Sequence, residues 1–351
     1  MEVTASVTAE EWDRYVAAHP EASGYHQWCW RGLFERVFGH ETIYLAARRS
    51  AVGRGFSLAE RAAPIVGVLP LVSFRSLLFG KFMVSLPFVN YGGVLADDDA
   101  AARALVDAAR AEAERRGAAS VELRHTRRMF PDLPAKQHKV AMTLALPDAV
   151  ESAWEGFDTK VRNKIRKPAK SGFEAVAGGR ELSGEFYTVF ARNMRDLGTP
   201  VYSRRLFEEV LMTIPESRAY VVRFGGSPVA AGIAIGYRSW VENPWASSLR
   251  EYRPSNPNML LYWTMIQDAI ARGYRVFDFG RSTPNEGTYH FKKQWGAVDS
   301  PFFWEYVIEN GRQLPDLSPK SRKFNAAVSV WQRLPVAVAG LLGPRIVRNI
   351  P

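Results

Sequence analysis

The chain has 351 residues, of which 47% are hydrophobic and 23% charged, a composition that is typical of globular proteins and excludes a largely disordered one. A single cysteine, Cys29, excludes an intramolecular disulfide, and six scattered histidines show no zinc-ligand spacing, so we predict neither a metal nor a redox cofactor. The formal net charge of +10 favours a polyanionic partner, such as tRNA, a nucleotide-linked substrate or an anionic membrane, and is equally compatible with an ordinary basic surface.

The first fifteen residues are acidic and polar, unlike the basic and then apolar pattern of a signal peptide. The sequence has no window of roughly 18 apolar residues, the length that a membrane-spanning helix needs. We therefore expect a cytoplasmic protein, in which any membrane contact is peripheral and at the inner face.

Residues 1–150 read as a helix, strands, a second helix and two further strands. Thr8 and Glu11 have capping-box spacing, which predicts the start of the first helix. The second helix is an alanine-rich segment that follows a pair of aspartates and ends at Gly117. The last strand of this half is the alternating segment 139–147. This order predicts one mixed α/β domain.

Residues 151–311 repeat a similar content of elements. The first helix of this half is expected to be broken by Pro168 and Gly172. Further helices, a hairpin, a strand, a helix, a strand, a loop with a short helix and a final strand at 301–309 follow. Because the two halves are similar in length and in elements, we expect a duplicated fold.

Residues 312–351 differ in composition from the rest of the chain. The segment is strongly basic, Asp316 is its only acid, and its apolar residues have helical spacing. The pattern predicts a basic amphipathic helical tail. Such a tail either lies on a membrane surface, giving a peripheral contact with anionic lipid through residues 320–351, or packs its apolar face on the body of the protein.

The stretch FDFGRSTPNEGTYHFKKQWGA places Lys292 and Lys293 between Phe291 and Trp295, just past a predicted strand end. On a helix the two aromatic positions share one face, so the lysines point elsewhere, and we expect them to face a cleft. A positioned lysine in a water-poor site stabilises the oxyanion that forms during acyl transfer. An ordinary pair of solvated lysines is the alternative.

The segment KVRNKIRKPAK, residues 160–170, has six basic residues and no acid. Val161 and Ile165 are four residues apart and give one buried stripe, which leaves the rest of the surface positive. We interpret it either as a phosphate-binding helix or as a solvated basic face. The substrate-binding candidates on it are Arg162, Asn163, Arg166 and Lys167.

Two loops are candidates for binding an acceptor. In residues 193–203, Asp196 or Tyr202 is positioned to take a proton from an attacking amine, unless Asp196 simply pairs with Arg195. Residues 280–287 lie past a strand end, where ligands of α/β proteins often bind, and include Glu286 as a second candidate base. The remaining candidates for substrate binding are Asn193, Arg195, Asn258, Arg281, Ser282, Tyr289 and Lys293.

The order of elements in the second half is that of the GNAT acyltransferase fold, and several segments resemble the Fem-type peptidyltransferases. Phe291-Lys292 followed by Trp295-Gly296 is similar to the end of Fem proteins. KVRNKIRKPAKSG, NMRDLGTPVYS, NPWASSLREY and PNMLLYW are similar to a branch encoded with exosortase and exopolysaccharide systems. The resemblance implies two tandem GNAT-like domains, an amino acid delivered by aminoacyl-tRNA, and Lys292 as the lysine that stabilises the oxyanion. The long helical hairpin of some Fem enzymes is absent here.

The segment REYRPSNPNMLLYW, residues 250–263, bears on the donor. Acetyl-CoA-dependent GNAT proteins usually have a glycine-rich loop here, whose amides bind pyrophosphate at a helix N-terminus. This segment has no glycine and two prolines, which lack amide donors. The pattern therefore disfavours coenzyme A, and Asn256 and Asn258 are expected to cap the helix or to contact the acceptor.

We predict a mixed α/β fold with two tandem GNAT-like domains, at 1–150 and 151–311, and a C-terminal helical tail, at 312–351. The predicted function is transfer of an amino acid from aminoacyl-tRNA to an amine of a peptide, cell-envelope or natural-product acceptor. One alternative is an N-acyltransferase that uses acyl-CoA or a carrier thioester. The other is a non-catalytic, membrane-associated factor for exopolysaccharide assembly.

Overall fold

The computed structural model describes residues 1–49, 63–76, 79–308 and 322–350, except for the side chains of residues 322–326. Its helices are α1 Ala9–Ala18, α2 Cys29–Leu33, α3 Asp99–Arg116, α4 Val150–Gly156, α5 Thr159–Lys170, α6 Ser183–Asp196, α7 Arg204–Thr213, α8 Pro257–Ala271, α9 Gly287–Lys293, α10 Arg322–Trp331 and α11 Val336–Val347. Its strands are β1 Glu2–Thr4, β2 Glu41–Arg48, β3 Ile65–Ser76, β4 Gly80–Val84, β5 Leu95–Ala96, β6 Ser120–His125, β7 Ala135–Lys136, β8 Val140–Ala145, β9 Phe173–Gly178, β10 Ser217–Phe224, β11 Ser227–Tyr237, β12 Trp240–Ser248, β13 Val276–Asp278, β14 Val298–Pro301 and β15 Phe303–Ile308.

The chain divides into two compact units, each built on one sheet. Among the described residues, unit 1 lies within 1–137 and 301–308, and unit 2 lies within 138–300 and 322–350. Both units combine a largely antiparallel sheet with helices, so the predicted mixed α/β class is confirmed.

Unit 1 has the strand order β1-β2-β3-β4-β6-β15-β7, with β5 paired to β3. Strands β4 and β6 are parallel and are joined by α3. The Asp98 side chain caps α3 by accepting from the Ala101 amide, and Gly117 ends the helix at φ 62°. Leu105 and Val106 of α3 are fully buried in one core with strand residues such as Leu69. The predicted capping box at the start of α1 is also confirmed.

Unit 2 has the strand order β14-β8-β13-β12-β11-β10-β9, with helices on both faces. Its parallel pair is β12 and β13, which α8 joins. Tyr220 and Val222 of β10 lie in the core that includes α5 and α8. Because side chains alternate along a strand, Val221 points to the opposite face, which α6 and α7 cover. Strand β12 of the parallel pair likewise contacts both α6 and α8.

The compact units differ from the predicted domains in the assignment of two strands. Strand β8 was expected in the N-terminal half, but it pairs with β13 of unit 2. Strand β15 was expected in the C-terminal half, but it pairs along its whole length with β6 of unit 1. Periodicity predicted both strands correctly but could not identify their partners, because pairing depends on contacts between segments distant in sequence.

The helix expected at the start of the second half is two helices, α4 and α5. Phe157 and Asp158 separate them, and the Asp158 side chain accepts from the Lys160 amide at the start of α5. The expected break at Pro168 was wrong, because this proline is buried inside the last turn of α5 and the helix continues to Lys170. The predicted helical tail is confirmed where it is described, as α10 and α11, whereas residues 312–321 lie outside the described residues.

Strand β15 carries a carboxylate into the interior of unit 1. Glu305 is fully buried, and its oxygens accept from the Phe130 amide at 2.8 Å and the Met129 amide at 3.2 Å. Its Oε2 is also 2.7 Å from Nδ1 of His125. Because His125 Nε2 accepts from the Val94 amide at 3.0 Å, the ring proton lies on Nδ1 and is donated to Glu305. This network ties β15 to β6 and to the loop that follows β6.

We expect Glu305→Ala to lower the free energy of unfolding of unit 1 by about 3–5 kcal/mol, because it leaves several buried donors without an acceptor. Glu21→Ala is the control, since its ion pair with Arg127 is exposed and is worth less than about 1 kcal/mol. Urea denaturation combined with amide hydrogen exchange of β6 peptides would measure both effects. Equal, small losses would show that Glu305 does not anchor β15.

Candidate active site at the end of the parallel strand pair

Strands β12 and β13 of unit 2 pair over three residues and then separate. The last aligned pair is Glu242 and Asp278. Beyond it, the Phe279 amide donates to Met142 O of β8 at 2.8 Å, and Ser282 and Val140 exchange backbone hydrogen bonds. The chain after β13 therefore follows β8 rather than β12. A fork opens between β12 and residues 279–282.

An irregularity on the other side of β12 marks the same point. The β11–β12 register shifts between Ile233 and Ile235, so that Asn243 and Pro244 stand opposite a single residue. Proline lacks an amide and is tolerated inside a sheet at such a bulge. The side chain of Asn243 donates from Nδ2 to the Ile233 and Trp245 carbonyls and so stabilises the bulge. The sequence thus bends β12 where β13 leaves it.

Lys292 of α9 reaches this fork. Its side chain is only 6% exposed, and Nζ donates to Gly280 O at 3.0 Å and to Arg281 O at 2.9 Å. A protonated amine has three N–H donors, so these bonds leave one for a ligand. A neutral amine would instead make the same two bonds and keep its lone pair for a proton. Both states are chemically useful in acyl transfer.

Opposing effects determine the charge state of Lys292. Burial lowers the pKa of Lys292 to about 8, and the charge of Arg281 also lowers it. The nearby carboxylates of Asp278 and Glu242 oppose this shift. Both protonation states are therefore populated near neutral and mildly alkaline pH. Perturbed groups of this kind concentrate at functional sites.

Asp278 also positions the lysine through the backbone. Its Oδ1 accepts from the Gly280 amide at 2.8 Å, in a turn where Gly280 has φ 73°. This conformation suits glycine and aims two successive carbonyls at Nζ of Lys292. Asp278 and Glu242 are 1% and 5% exposed, so neither is a surface acid. Asp278 therefore combines charge with positioning, whereas Glu242 contributes charge.

Aromatic side chains surround α9, as predicted. Trp295 is 1% exposed and packs with Tyr262, Phe279 and Phe291. Lys293 does not share the environment of Lys292, because it is exposed and donates to Asp299 at 2.9 Å. The two lysines were expected to face one cleft together, and only Lys292 reaches the fork.

The basic helix α5 has the predicted buried stripe and an exposed cationic surface. Val161 and Ile165 are each 3% exposed. The Arg166 guanidinium lies 4.9 Å from the Trp154 ring centroid, and Lys167 donates to Pro254 O at 2.7 Å. The other two candidates are Arg162, which donates to the Thr159 hydroxyl at 3.2 Å, and Asn163, which is exposed.

Residues 193–203 lie against the C-terminal helices. Arg195 donates to Asp196 at 2.7 Å and to Leu334 O at 2.7 Å, so the pair links α6 to the segment between α10 and α11. This is the pairing that the sequence left as the alternative role of Asp196. Gly343 lets α11 pack closely here, since a Cβ on it would lie 2.7 Å from the Val201 nitrogen.

Other predicted residues occupy varied positions in unit 2. Asn193 is buried and donates to the Ser247 hydroxyl of β12 at 3.0 Å. Ser282 is 3% exposed, and its hydroxyl has no partner among the described residues. Tyr202 packs near Phe190 and Phe207. The remaining placements are Arg281, exposed beside the fork; Tyr289, which donates to Asp299; Glu286, exposed before α9; and Asn258, half-buried in the first turn of α8.

The start of α8 lacks the backbone geometry of a phosphate cradle. Asn256 precedes it with φ 58°, and Pro257 occupies its first turn. Proline removes one of the amides that would otherwise face an anion at a helix N-terminus. The Met259 amide is already bonded to Asn256 O at 2.9 Å. The Asn256 side chain makes no capping hydrogen bond, contrary to the expected cap, and the missing and already bonded amides do not suit a pyrophosphate.

Residues 156–293 match the family model described as an acetyltransferase (GNAT) domain. This part of the chain is therefore similar to GNAT acyltransferase domains. It contains the fork, Asp278 and Lys292. No curated protein matches the sequence.

Solved structures extend the likeness to nearly the whole chain. FemX is 16% identical, covers 88% of this chain and 98% of its own, and has a TM-score of 0.64. A tandem GNAT protein from the clavulanic acid biosynthesis pathway is 13% identical, with coverages of 89% and 99% and a TM-score of 0.52. A domain assigned to a lysylphosphatidylglycerol synthetase of Agrobacterium fabrum is 12% identical, with coverages of 92% and 95% and a TM-score of 0.54. The expected Fem-like fold with tandem GNAT units is confirmed.

Sequence reasoning missed Glu242 and Asp278. A signal was present, because Asp278 lies between two phenylalanines of a predicted strand and Glu242 follows Trp240 and Val241 in another. A charged residue inside a buried strand needs a partner, and the partner here comes from a helix 14 residues beyond Asp278. Their alignment on adjacent parallel strands could not be read from local pattern.

We expect Asp278→Asn to lower the pKa of Lys292 further below 8, by about one unit, because it removes a nearby negative charge while keeping an oxygen for the Gly280 amide. Asp299→Asn is the matched control, since Asp299 pairs with Lys293 instead. Nitrogen-15 NMR titration of lysine-labelled protein would report both values. An unchanged Lys292 pKa in Asp278→Asn would contradict this electrostatic assignment.

Proposed function

We propose that the protein transfers an amino acid from aminoacyl-tRNA to an amine, forming an amide. The observation that carries the proposal is the buried amine of Lys292, which has a lowered pKa and one N–H left for a ligand at the fork of a GNAT domain. The similarity to FemX and to a lysylphosphatidylglycerol synthetase domain supports aminoacyl transfer in general. The acceptor that we favour is a peptide or a sugar-linked amine.

In this reaction the neutral acceptor amine attacks the ester carbonyl of the donor. A C–N bond forms, and the carbonyl oxygen becomes an oxyanion that accepts the remaining N–H of protonated Lys292. The intermediate collapses by breaking the C–O bond to the tRNA ribose. The proton lost from the amine nitrogen ends on the ribose oxygen. Lys292 therefore acts as a charged donor rather than as a base.

Helix α5 supports the choice of a nucleic acid donor. Its surface between the buried positions carries closely spaced cations without an acid, and its first and middle turns remain exposed. Lys164 donates to Gln294 at 2.8 Å, so the helix lies beside the C-terminal end of α9. A tRNA bound on α5 would thus have its phosphates near the lysine that acts on its ester.

A thioester-dependent N-acyltransferase is the second candidate. The matching family model is described as an acetyltransferase domain, which favours it. Pro257 and the bonded Met259 amide at the start of α8 disfavour coenzyme A as the donor. The non-catalytic alternative predicts no activity that depends on Lys292.

We also propose that the C-terminal helices contact an anionic membrane. Of twelve exposed large apolar side chains in the described chain, five lie on this segment: Val330, Val338, Leu341, Leu342 and Ile346. Arg333, Arg345 and Arg348 are exposed on the same segment, and residues 322–350 contain no acid. An apolar surface edged by arginines suits the interface of an anionic bilayer. No described helix is both long enough and apolar enough to span a bilayer.

Lys292→Ala should lower kcat by about 10²–10³-fold without changing the fold, because one oxyanion donor is worth that much. Lys293→Ala, which removes a surface ion pair, should change kcat less than about twofold. In the wild type, the rate limited by chemistry should fall as pH rises through about 8, when Lys292 loses its proton. A rate that rises through that pH would make Lys292 a base, and full activity of Lys292→Ala would reject the proposal.

Replacing Arg162, Arg166 and Lys167 together by Ala should weaken binding of aminoacyl-tRNA and reduce its salt dependence. Loss of three phosphate contacts lowers the slope of log K against log salt by about two to three. A control with Arg14, Arg110 and Arg115 replaced by Ala makes the same charge change on unit 1. Filter binding across a salt series would measure both. Equal losses would indicate nonspecific attraction, and saturable binding of acyl-CoA instead would favour the thioester alternative.

Leu341→Glu with Ile346→Glu should abolish flotation with vesicles that contain phosphatidylglycerol, because both side chains are exposed on α11. Met212→Glu is the control, since Met212 is also exposed but lies on α7. High salt should release the wild type. A wild type that does not bind these vesicles would refute membrane contact and leave the transfer reaction untouched.

A further inference from the structure

We propose that Lys139 and Arg281 form a binding site for a phosphate group of the substrate, beside Lys292. The inference deepens the proposed function by naming the chemistry of a second contact, and it rests on the fork being the reaction site. Two sources would present such a group: the phosphate backbone of a tRNA 3′ end, and the diphosphate of a nucleotide- or lipid-linked acceptor.

Lys139 is fixed next to the fork by the backbone that follows it. Val140 N donates to Ser282 O at 3.0 Å, and Ser282 N donates to Val140 O at 2.8 Å. These bonds bring the end of Lys139 beside the loop after β13, where Nζ donates to Thr283 Oγ1 at 2.6 Å. A single hydroxyl leaves two N–H donors of this ammonium for another acceptor.

The cations of this region interact with one another across a short segment. Arg281 is exposed, and its charge acts on both Lys139 and Lys292. Burial lowers the pKa of Lys139, and Arg281 lowers it further, whereas Glu286 opposes both. Asp278 and Glu242 act on Lys292. The exposed carboxylate of Glu286 is therefore the one group that favours the charged form of Lys139, against the effects of burial and of Arg281.

A phosphate fits this arrangement better than a neutral group. It carries negative charge and several acceptor oxygens, so it can take hydrogen bonds from an ammonium and from a guanidinium together. Its charge would also relieve the repulsion between Lys139 and Arg281. Because Arg281 O accepts from Lys292 Nζ at 2.9 Å, a ligand held by Arg281 would lie next to the catalytic candidate.

The test uses the full-length protein and measures the reactivity of individual lysine amines. Limited acetylation with acetic anhydride, followed by mass spectrometry, gives a rate for each lysine with and without ligand. The probes are inorganic pyrophosphate, UDP and uncharged tRNA, each against sodium chloride at matched ionic strength. We expect pyrophosphate to slow labelling of Lys139 several-fold, while Lys293, an exposed lysine paired with Asp299, changes little.

Arg281→Ala should remove the protection of Lys139, whereas Arg238→Ala, a change at an exposed arginine in the β11–β12 turn, should keep it. Protection by tRNA but not by UDP would assign the phosphate to the donor, and the reverse would assign it to the acceptor. Protection no greater than that of chloride, or equal protection of Lys293, would overturn the proposal. The site should persist in Lys292→Met, so its failure and a failure of the transfer reaction are separable.

Discussion

The hydrogen bonds from the buried Lys292 amine to two successive backbone carbonyls join the elements of the site. A buried ammonium is costly unless it is paired, and here the turn after β13 supplies both carbonyls. That turn depends on Gly280 at positive φ and on the Asp278 carboxylate that accepts its amide. The separation of β12 and β13 leaves space beside it. We therefore expect a change in any one of these features to move the amine or to alter its charge.

The local pattern of the sequence predicted much of this arrangement. Phe291 and Trp295 at helical spacing indicated the face of α9 that packs into the core, and the order of elements indicated a GNAT domain. The absence of glycine and the two prolines in residues 250–263 indicated a helix start without a phosphate-binding loop. The structure agrees, since α8 begins at Pro257 directly after Asn256. These features depend on residues close in sequence, which is why they were accessible.

What could not be predicted depends on distant contacts. Lys292 is buried and Lys293 is exposed because only one face of the seven-residue helix α9 meets the loop after β13. So short a helix has too few residues for its sequence pattern to show which face that is. Glu242 joins the site only because β12 and β13 align in parallel. Arg195 was assigned to substrate binding and Asp196 to proton transfer, but Arg195 pairs with Asp196 and donates to Leu334 O in the segment before α11. Both of these roles stay predictions.

The most direct test of the account is a crystal structure with a non-hydrolysable donor analogue, an aminoacyl group linked by an amide to 3′-amino-adenosine. Its carbonyl oxygen stands for the oxygen that becomes the oxyanion. We predict that this oxygen lies 2.7–3.2 Å from Lys292 Nζ, the range of a good hydrogen bond, with the aminoacyl group in the fork between β12 and residues 279–282. An analogue bound elsewhere, with Nζ contacting only Gly280 and Arg281, would contradict the central role of this lysine.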